Sequence, residues 1–226
     1  MSARTAGPAA PSGTAPVTGL SRALLVAFAL AAAVDLVSLL AGAEPGHQVA
    51  KPLLMPLLAA YAVSRGAPKP LVIALLFGWA GDVLLLSDTD LAFLAGMGSF
   101  AVGHVCYLVL FGRRRASPAL GALYAAALAG TVVPLWPDLP AGLRIPVAGY
   151  ALLLTVTAWR ASSLGLLAGL GGALFLLSDT LIATGVAGWP RLPAPDFWVM
   201  LTYVAAQYLL TTGALRAMYG ESRTNV

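Results

Sequence analysis

Long apolar stretches, separated by short polar loops, follow one another along most of the chain. They lie at residues 21–42, 50–64, 69–87, 91–111, 117–135, 144–160, 163–184 and 197–218. A transmembrane helix needs about 20 mainly apolar residues. Because the stretches are continuously apolar rather than alternating, helices are favoured over a barrel. The pattern predicts an all-α fold, a polytopic membrane bundle of about eight transmembrane helices.

The charged residues support this prediction and give it an orientation. Only 10% of the 226 residues are charged, against about 25% in a typical soluble domain. The basic residues are scattered in short loops, which argues against a nucleic-acid partner. By the positive-inside rule, the side that holds most of them is cytoplasmic. We therefore expect an integral protein of the bacterial cytoplasmic (inner) membrane with both termini in the cytoplasm. Ten of the 13 basic residues fall on that side: Arg4, Arg22, Arg65, Lys69, Arg113, Arg114, Arg115, Arg160, Arg216 and Arg223.

The ends of the chain differ from its apolar body. Residues 1–19 are rich in Ala, Pro, Gly, Ser and Thr, a composition that predicts a disordered tail. Residues 20–219 form a single transmembrane domain, and 220–226 a short C-terminal tail. The small residues before Glu44 resemble a signal-peptide cleavage site. However, the apolar run 23–40 is longer than a usual signal core and contains Asp35, so we favour a retained first helix.

Three carboxylates lie inside predicted helices: Asp35, Asp82 and Asp179. Each helix runs outward, and each aspartate precedes the outer end by a few residues, at a depth of roughly 10 Å for a rise of 1.5 Å per residue. An intramembrane carboxylate costs about 2.5–3.5 kcal/mol on insertion scales and usually faces the bundle interior. A polar cavity in the outer half of the membrane would explain the cost, although a buried aspartate can also simply join two helices. We favour function for Asp82 and Asp179 and leave Asp35 open, as a possible third carboxylate.

Further polar residues accompany the aspartates. His104 lies deeper, in the fourth helix, where a histidine often bonds a neighbouring helix; Tyr203 and Gln207 lie at a similar level in the eighth. Lys51 and Arg144 begin the second and sixth helices at the outer boundary. They either extend to the interface or bind a phosphate or the carboxylates.

With two histidines and one cysteine, Cys106, the chain cannot form a three-histidine zinc site or an internal disulfide. We predict no metal and no cofactor.

Predicted helices three and seven contain a short stretch of similar sequence. Each places a small residue and an aspartate before an apolar run, at Gly81-Asp82 and Ser178-Asp179. The two helices run in the same direction, so a four-plus-four parallel repeat is conceivable.

Five sequence features occur in an order that resembles one known family. They are Lys51-Pro52-Leu53-Leu54, Gly81-Asp82-Val83-Leu84-Leu85, Gly96 to His104 followed by Tyr107, Leu174-Phe175-x-x-Ser178-Asp179, and Tyr203-x-x-x-Gln207. Together they resemble the lysoplasmalogenase-like YhhN family of multi-pass membrane proteins, from about Lys51 to Gln207. No single feature is specific, but the ordered set is.

The resemblance implies a hydrolase that cleaves the vinyl ether bond of lysoplasmalogens to a fatty aldehyde and a glycerophospho-head group. It also implies that Asp82 and Asp179 are the catalytic pair. We predict that the substrate-binding or supporting residues are Lys51, His104, Tyr107, Arg144, Tyr203 and Gln207. Two carboxylates suit this chemistry. One acid protonates the alkene, and the other carboxylate stabilises the oxocarbenium ion and assists water, as in two-carboxylate glycosidases.

Two other functions use the same buried aspartates. Intramembrane Asp and His residues also form proton relays, so a proton-coupled transporter is one alternative. A lipid-binding or scaffold protein with a structural polar core is the other. If the protein is a hydrolase of this kind, the predicted partners are a lysophospholipid substrate and bilayer lipids. The sequence leaves the head group, the oligomeric state and the assignment of acid and base open.

Overall fold

The computed structural model describes residues 18–87 and 89–224, with side chains as far as Tyr219. Within these residues the chain forms eight α-helices and a short 3-10 turn at Ser162–Leu164. The helices are α1 (Gly19–Ala41), α2 (Glu44–Ser64), α3 (Lys69–Leu84), α4 (Asp90–Phe111), α5 (Pro118–Leu135), α6 (Ala141–Ala161), α7 (Leu166–Val186) and α8 (Pro195–Thr224). The all-α prediction and its eight segments are confirmed.

Local sequence explains where the helices begin and end. The Thr18, Thr89 and Ser117 side chains each accept a hydrogen bond from a backbone N–H in the first turn of α1, α4 and α5. Gly42 ends α1 with a left-handed φ of 66°, which glycine adopts without steric cost. Helix α2 begins at Glu44, six residues before the predicted start at 50, with a proline in its first turn. The apolar pattern missed this turn because Glu44, His47 and Gln48 are polar although helical.

Five of the described helices are long and apolar enough to cross a membrane: α1, α4, α5, α6 with the 3-10 turn, and α7. The other three differ for visible reasons. Helix α3 has 16 residues, fewer than the roughly 20 that usually span a bilayer. Helices α2 and α8 carry polar side chains that include Lys51, Tyr203 and Gln207. The five spans identify an integral membrane protein, and the remaining helices bring polar groups into its core.

The bundle packs as neighbouring helix pairs around a common core. Helix α7 lies against α8 and α6, α3 against α4 and α2, and α1 against α2. The α7–α8 contact is backbone-close, because a Cβ on Gly171 would lie 2.7 Å from the Leu210 nitrogen and one on Gly213 2.6 Å from the Ala168 nitrogen. Helix α5 packs mainly on α6 and buries little. Among the described residues, α2 and α8 contribute the most buried apolar side chains to this core.

The predicted terminal tails fall largely outside the described residues. Residues 1–17 of the N-terminal tail are not described, and α1 begins at Gly19. In the predicted C-terminal tail 220–226, α8 continues to Thr224. The single-domain division and the four-plus-four repeat stay predictions.

Candidate functional site

Two of the three helix-borne aspartates meet at one internal cavity. Asp82 from α3 and Asp179 from α7 both line this inner cavity, which has a volume of about 80 Å³. Its polar lining is completed by Lys51, Tyr150, Ser178 and Tyr203, and the rest comes from apolar side chains of α4, α6, α7, α8 and the end of α3. A carboxyl pair in a mostly apolar chamber can exchange protons with a bound substrate while little water is present.

Asp82 lies at the end of a hydrogen-bonded chain that crosses the bundle. The Tyr203 hydroxyl donates to Asp82 Oδ2 at 2.7 Å, and Gln207 Nε2 donates to the Tyr203 hydroxyl at 3.4 Å. The Tyr107 hydroxyl in turn donates to Gln207 Oε1 at 2.7 Å. All four groups are buried, and Asp82 itself is 2% exposed. Helices α4 and α8 thus hold the Asp82 carboxyl in one orientation.

Small residues on α3 make room for this chain. A Cβ on Gly78 would lie 3.1 Å from Gln207 Nε2 and 3.4 Å from the Tyr203 hydroxyl. A Cβ on Gly81 would lie 2.6 Å from the Phe100 ring. Gly78 and Asp82 are one turn apart and share a helix face. The face of α3 that presents the carboxylate is therefore one that approaches α4 and α8 closely.

Asp179 has a simpler environment. The Tyr150 hydroxyl of α6 donates to Asp179 Oδ2 at 2.5 Å. The preceding residue, Ser178, donates its hydroxyl to the Val199 carbonyl of α8 at 3.0 Å. Asp179 is half-buried, whereas Asp82 is buried. One tyrosine thus orients each carboxylate, but the two tyrosines come from different helices.

His104 is buried beside the site but does not line the inner cavity. Its ring packs edge-on against Phe175, with 4.5 Å between centroids, and it borders a small void with Gly78, Tyr107 and Gln207. Neither ring nitrogen has a hydrogen-bond partner among the described residues. The hydrogen bond to a neighbouring helix, which was one of the alternatives for His104, is therefore not formed among the described residues.

Asp35 and Arg144 lie apart from the inner cavity. Asp35 is fully buried between α1 and α2, where its Oδ1 contacts His47 Nδ1 at 2.8 Å. Arg144 donates to the Leu139 carbonyl at 3.1 Å and to the Pro137 carbonyl at 2.9 Å. Its guanidinium thereby binds the loop between α5 and α6. The structure brings Lys51, Asp82, Asp179 and Tyr203 together, with Gln207 and Tyr107 behind them.

A second, wider cavity of about 580 Å³ adjoins the inner one, and we call it the vestibule. Lys51, Leu85, Phe93 and Met200 line both spaces, so the two cavities lie side by side. The charged or titratable side chains around the vestibule are Glu44, His47, Lys51, Arg191 and Asp196. The volume of the vestibule is typical of a small-molecule site, which usually measures about 300–1,000 Å³.

Sequence reasoning missed three residues of these cavities as site residues. Tyr150 is the one tyrosine of α6, and a single tyrosine within an apolar helix was a usable signal. His47 precedes Lys51 by four residues, so both lie on one helix face. Arg191 follows α7 in a proline-rich loop and carried no signal beyond its charge.

Within the described residues, no three His, Cys, Asp or Glu side chains lie close enough together to hold a metal ion. The chemistry available from the residues present is proton transfer by two carboxyls, each oriented by a tyrosine hydroxyl. Such pairs suit reactions in which a proton is added at one atom and removed at another.

Comparison with known proteins agrees with the ordered motifs. Human lysoplasmalogenase TMEM86B is 36% identical over 154 residues, which cover 68% of this chain and 67% of the relative. The rat lysoplasmalogenase TMEM86B is 36% identical over 175 residues, covering 74% and 71%. A lysoplasmalogenase of Mycobacterium bovis is 33% identical over 189 residues, again covering 74% and 71%.

No solved structure matches the chain significantly. The model of the YhhN family matches residues 46–214, a segment that begins just after α1 and contains both cavity aspartates. Because this match spans most of the chain and the relatives agree with it, the chain belongs to the YhhN family.

Proposed function

We propose that the protein is a membrane-embedded hydrolase that cleaves the vinyl ether bond of lysoplasmalogens. The observation that carries the proposal is the meeting of Asp82 and Asp179 in one narrow, mostly apolar cavity, each bonded to a tyrosine hydroxyl. Relatives that match most of the chain are named lysoplasmalogenases, which supports the same substrate class. The products are a fatty aldehyde and a glycerophospho-head group.

The reaction needs both an acid and a base. One carboxylic acid of the pair donates its proton to the β-carbon of the vinyl ether, which leaves an oxocarbenium ion at the carbon bonded to oxygen. The other carboxylate stabilises this cation and takes a proton from the water that adds there. The hemiacetal then collapses. Its hydroxyl proton returns to the first carboxylate, and the second carboxyl protonates the departing glycerol oxygen, so both groups regain their starting states.

The two cavities suit the two ends of such a lipid. The narrow inner cavity excludes bulk water from the reacting bond. The wider vestibule holds the polar head group, and Lys51 lies at the junction. The tyrosines orient the carboxyls, and Gln207 with Tyr107 fixes Tyr203 in turn.

Aldehyde release from lysoplasmenyl-ethanolamine by detergent-purified protein tests the proposal. The wild type is compared with Asp82→Asn and Asp179→Asn, which keep the side-chain shape and can still accept from the tyrosines. Asp90→Asn, at an exposed carboxylate in the first turn of α4, is the matched control. We expect activity in the wild type and the control, and losses of about 100-fold or more in the other two, as for general acid–base residues. Thermal unfolding verifies that all four proteins are folded.

An inert wild type, tested beside an active relative, would overturn the hydrolase proposal. A proton-coupled transporter is then the next candidate, because the chain from Tyr107 to Asp82 offers a route for protons. Its signature is substrate flux into liposomes that depends on a pH gradient and proceeds without bond cleavage.

We also infer that the protein resides in a bacterial cytoplasmic membrane with both termini in the cytoplasm. The asymmetry of basic residues supports this orientation, and it opens the vestibule to the outer side. With Cys106 replaced by alanine, Arg115→Cys and Ser87→Cys report opposite loops. A thiol reagent that cannot cross membranes should label only the second in intact cells. Labelling of only the first would reverse the topology.

A further inference from the structure

The vestibule carries basic side chains on two sides, together with the carboxylates of Glu44 and Asp196. His47 and Lys51 come from α2, one helical turn apart. Arg191 comes from the loop before α8, and its side chain lies across the end of α7, because a Cβ on Gly185 would be 3.4 Å from Arg191 Cδ and 3.5 Å from Nη1. These groups therefore surround the route to the inner cavity.

Lys51 has no hydrogen-bond or ion-pair contact among the described residues, although the opposite charge of Asp82, which lines the same inner cavity, lies within electrostatic range. Lys51 is 8% exposed, and the ion pair found in the described part of the chain joins His47 and Asp35. A buried charge is costly to desolvate unless an opposite charge compensates it. Because Lys51 is more than nine-tenths buried and lines the vestibule without an ion-pair contact, its ammonium group is available to an anionic ligand there.

Asp35 fixes the orientation of His47. A carboxylate can only accept hydrogen bonds, so the contact between Asp35 Oδ1 and His47 Nδ1 at 2.8 Å places the hydrogen on Nδ1. The other ring nitrogen, Nε2, is left for the vestibule that the ring borders. Asp35 is 0% exposed and His47 14%, so the pair extends from the protein interior to the cavity.

The close packing of α1 on α2 creates this pair. A Cβ on Gly46 would lie 2.1 Å from Ser38 Oγ and 3.0 Å from Ser38 Cβ, so a larger residue beside His47 would force Ser38 or α1 to shift. Helix α1 precedes the segment matched by the family, which begins at residue 46. Asp35 therefore adds a contribution to the vestibule from outside that segment.

We propose that the vestibule is a phosphate subsite formed by Lys51, His47 and Arg191, and that Asp35 is a positioning residue for the His47 imidazole. Arginine and lysine N–H groups are suitable donors to phosphate oxygens. The His47 ring donates from Nε2 as well when it is doubly protonated, and Asp35 then compensates its charge. The proposal deepens the proposed function and rests on it in one respect, since it takes the phosphate to be that of a lysophospholipid whose tail enters the inner cavity.

Binding of a lipid that cannot be cleaved tests the subsite separately from catalysis. The probe is a saturated alkyl-ether lysophosphoethanolamine, which lacks the vinyl group, and the reference is the alkylglycerol with the same tail. Titration calorimetry in detergent gives the ratio of the two affinities. We expect the wild type to prefer the phospholipid at least about tenfold, consistent with loss of one or more charge-assisted hydrogen bonds in the reference.

Three variants should reduce this ratio toward one: Lys51→Met, Arg191→Gln and His47→Gln. The glutamine at position 47 retains an amide that can donate to Asp35, which favours folding. Arg115→Gln, an exposed basic residue at the opposite end of the bundle, should leave the ratio unchanged. A wild type without preference, or variants that all keep it, would overturn the subsite. Inorganic phosphate that competes as well as the phospholipid would overturn the assignment to a lipid. Because the probe is not cleaved, these affinities can be measured and interpreted even if the protein proves to have no hydrolase activity.

The positioning role of Asp35 has its own readout. The chain contains two histidines, His47 and His104, so ring ¹⁵N labelling gives two imidazoles, which a His104 variant assigns. Asp35→Asn should change the His47 ring signals and lower the phosphate preference several-fold. In turnover it should raise KM more than it lowers kcat, because the reacting bond lies elsewhere. Asp90→Asn should do neither. If Asp35→Asn folds poorly, Asp35→Glu, which keeps the carboxylate, replaces it and should retain the preference. Unchanged His47 signals together with an unchanged preference in Asp35→Asn would exclude the role.

Discussion

Asp82 and Asp179 line the same cavity, but the hydrogen-bond networks that orient their carboxyl groups differ in size. Asp82 is fixed by Tyr203, which is linked through Gln207 to Tyr107, so three helices contribute to its orientation. Asp179 is fixed by Tyr150 alone and is less buried. The comparison teaches that two aspartates with similar local sequences have acquired unequal environments, an extended polar network on the α3 side and a single contact on the α7 side.

The strongest test of this comparison removes the carboxylates together. If Asp82 and Asp179 act on the same substrate as one unit, each Asp→Asn variant loses about 100-fold or more in kcat/KM, and the double variant loses little beyond the worse single. Steady-state aldehyde release measures all three. Losses that multiply in the double variant would mean that the residues act independently, and the cavity would then not be a two-carboxylate site.

The tyrosines provide the next test. Tyr203→Phe removes the donor to Asp82 and also the acceptor of Gln207 Nε2, whereas Tyr150→Phe removes only the donor to Asp179. A buried polar group left without a partner costs about 1–3 kcal/mol. We therefore expect both variants to lose activity and Tyr203→Phe to unfold at the lower temperature. Equal stability losses, measured by thermal unfolding, would contradict the asymmetry between the two aspartates.

The far end of the network should matter less to turnover. Tyr107→Phe deprives Gln207 Oε1 of its donor but leaves the contact between Tyr203 and Asp82 in place. We expect a stability loss of about 1–3 kcal/mol, because Gln207 Oε1 is left buried without a donor, and a fall in kcat of less than about tenfold. The melting temperature and kcat of the Tyr107→Phe variant, each measured beside the wild type, test both expectations. A fall as large as that of Tyr203→Phe would indicate that the whole chain moves protons during the reaction.

Much of the fold was predictable because apolar length is a strong signal in a membrane chain. Every helix of the described residues corresponds to a predicted segment. The largest errors, six residues each, were the start of α2, where polar residues continue a helix toward the vestibule, and the end of α8, which continues to Thr224. One of the polar residues that concealed the first turns of α2 is His47, which contacts Asp35.

The site was predictable in part. Carboxylates are rare in apolar helices, so Asp82 and Asp179 were found from sequence, and the structure brings them to one cavity; their catalytic roles stay predictions. Tyr150 and Arg191 were missed for physical reasons. Helix α6 is apolar on all sides, so periodicity does not indicate which face meets α7. The position of the Arg191 side chain depends on a loop path that the sequence does not fix.

The residues that precede the aspartates offer the finest comparison. Gly81 precedes Asp82, and Ser178 precedes Asp179. Ser178→Ala removes one hydrogen bond to the Val199 carbonyl and should cost about 1 kcal/mol with little change in turnover. Gly81→Ala instead places a Cβ 2.6 Å from the Phe100 ring, so either the ring or α3 must shift, and overpacking of this kind costs about 1–3 kcal/mol.

Because Phe100 also lines the inner cavity, Gly81→Ala should impair turnover as well as stability, whereas Ser178→Ala should affect stability alone. Melting temperature and kcat/KM, measured on both variants, distinguish these outcomes. If Ser178→Ala proved the more damaging to turnover, the tighter packing requirement would lie on the α7 side, and the contrast between the two aspartates would be reversed.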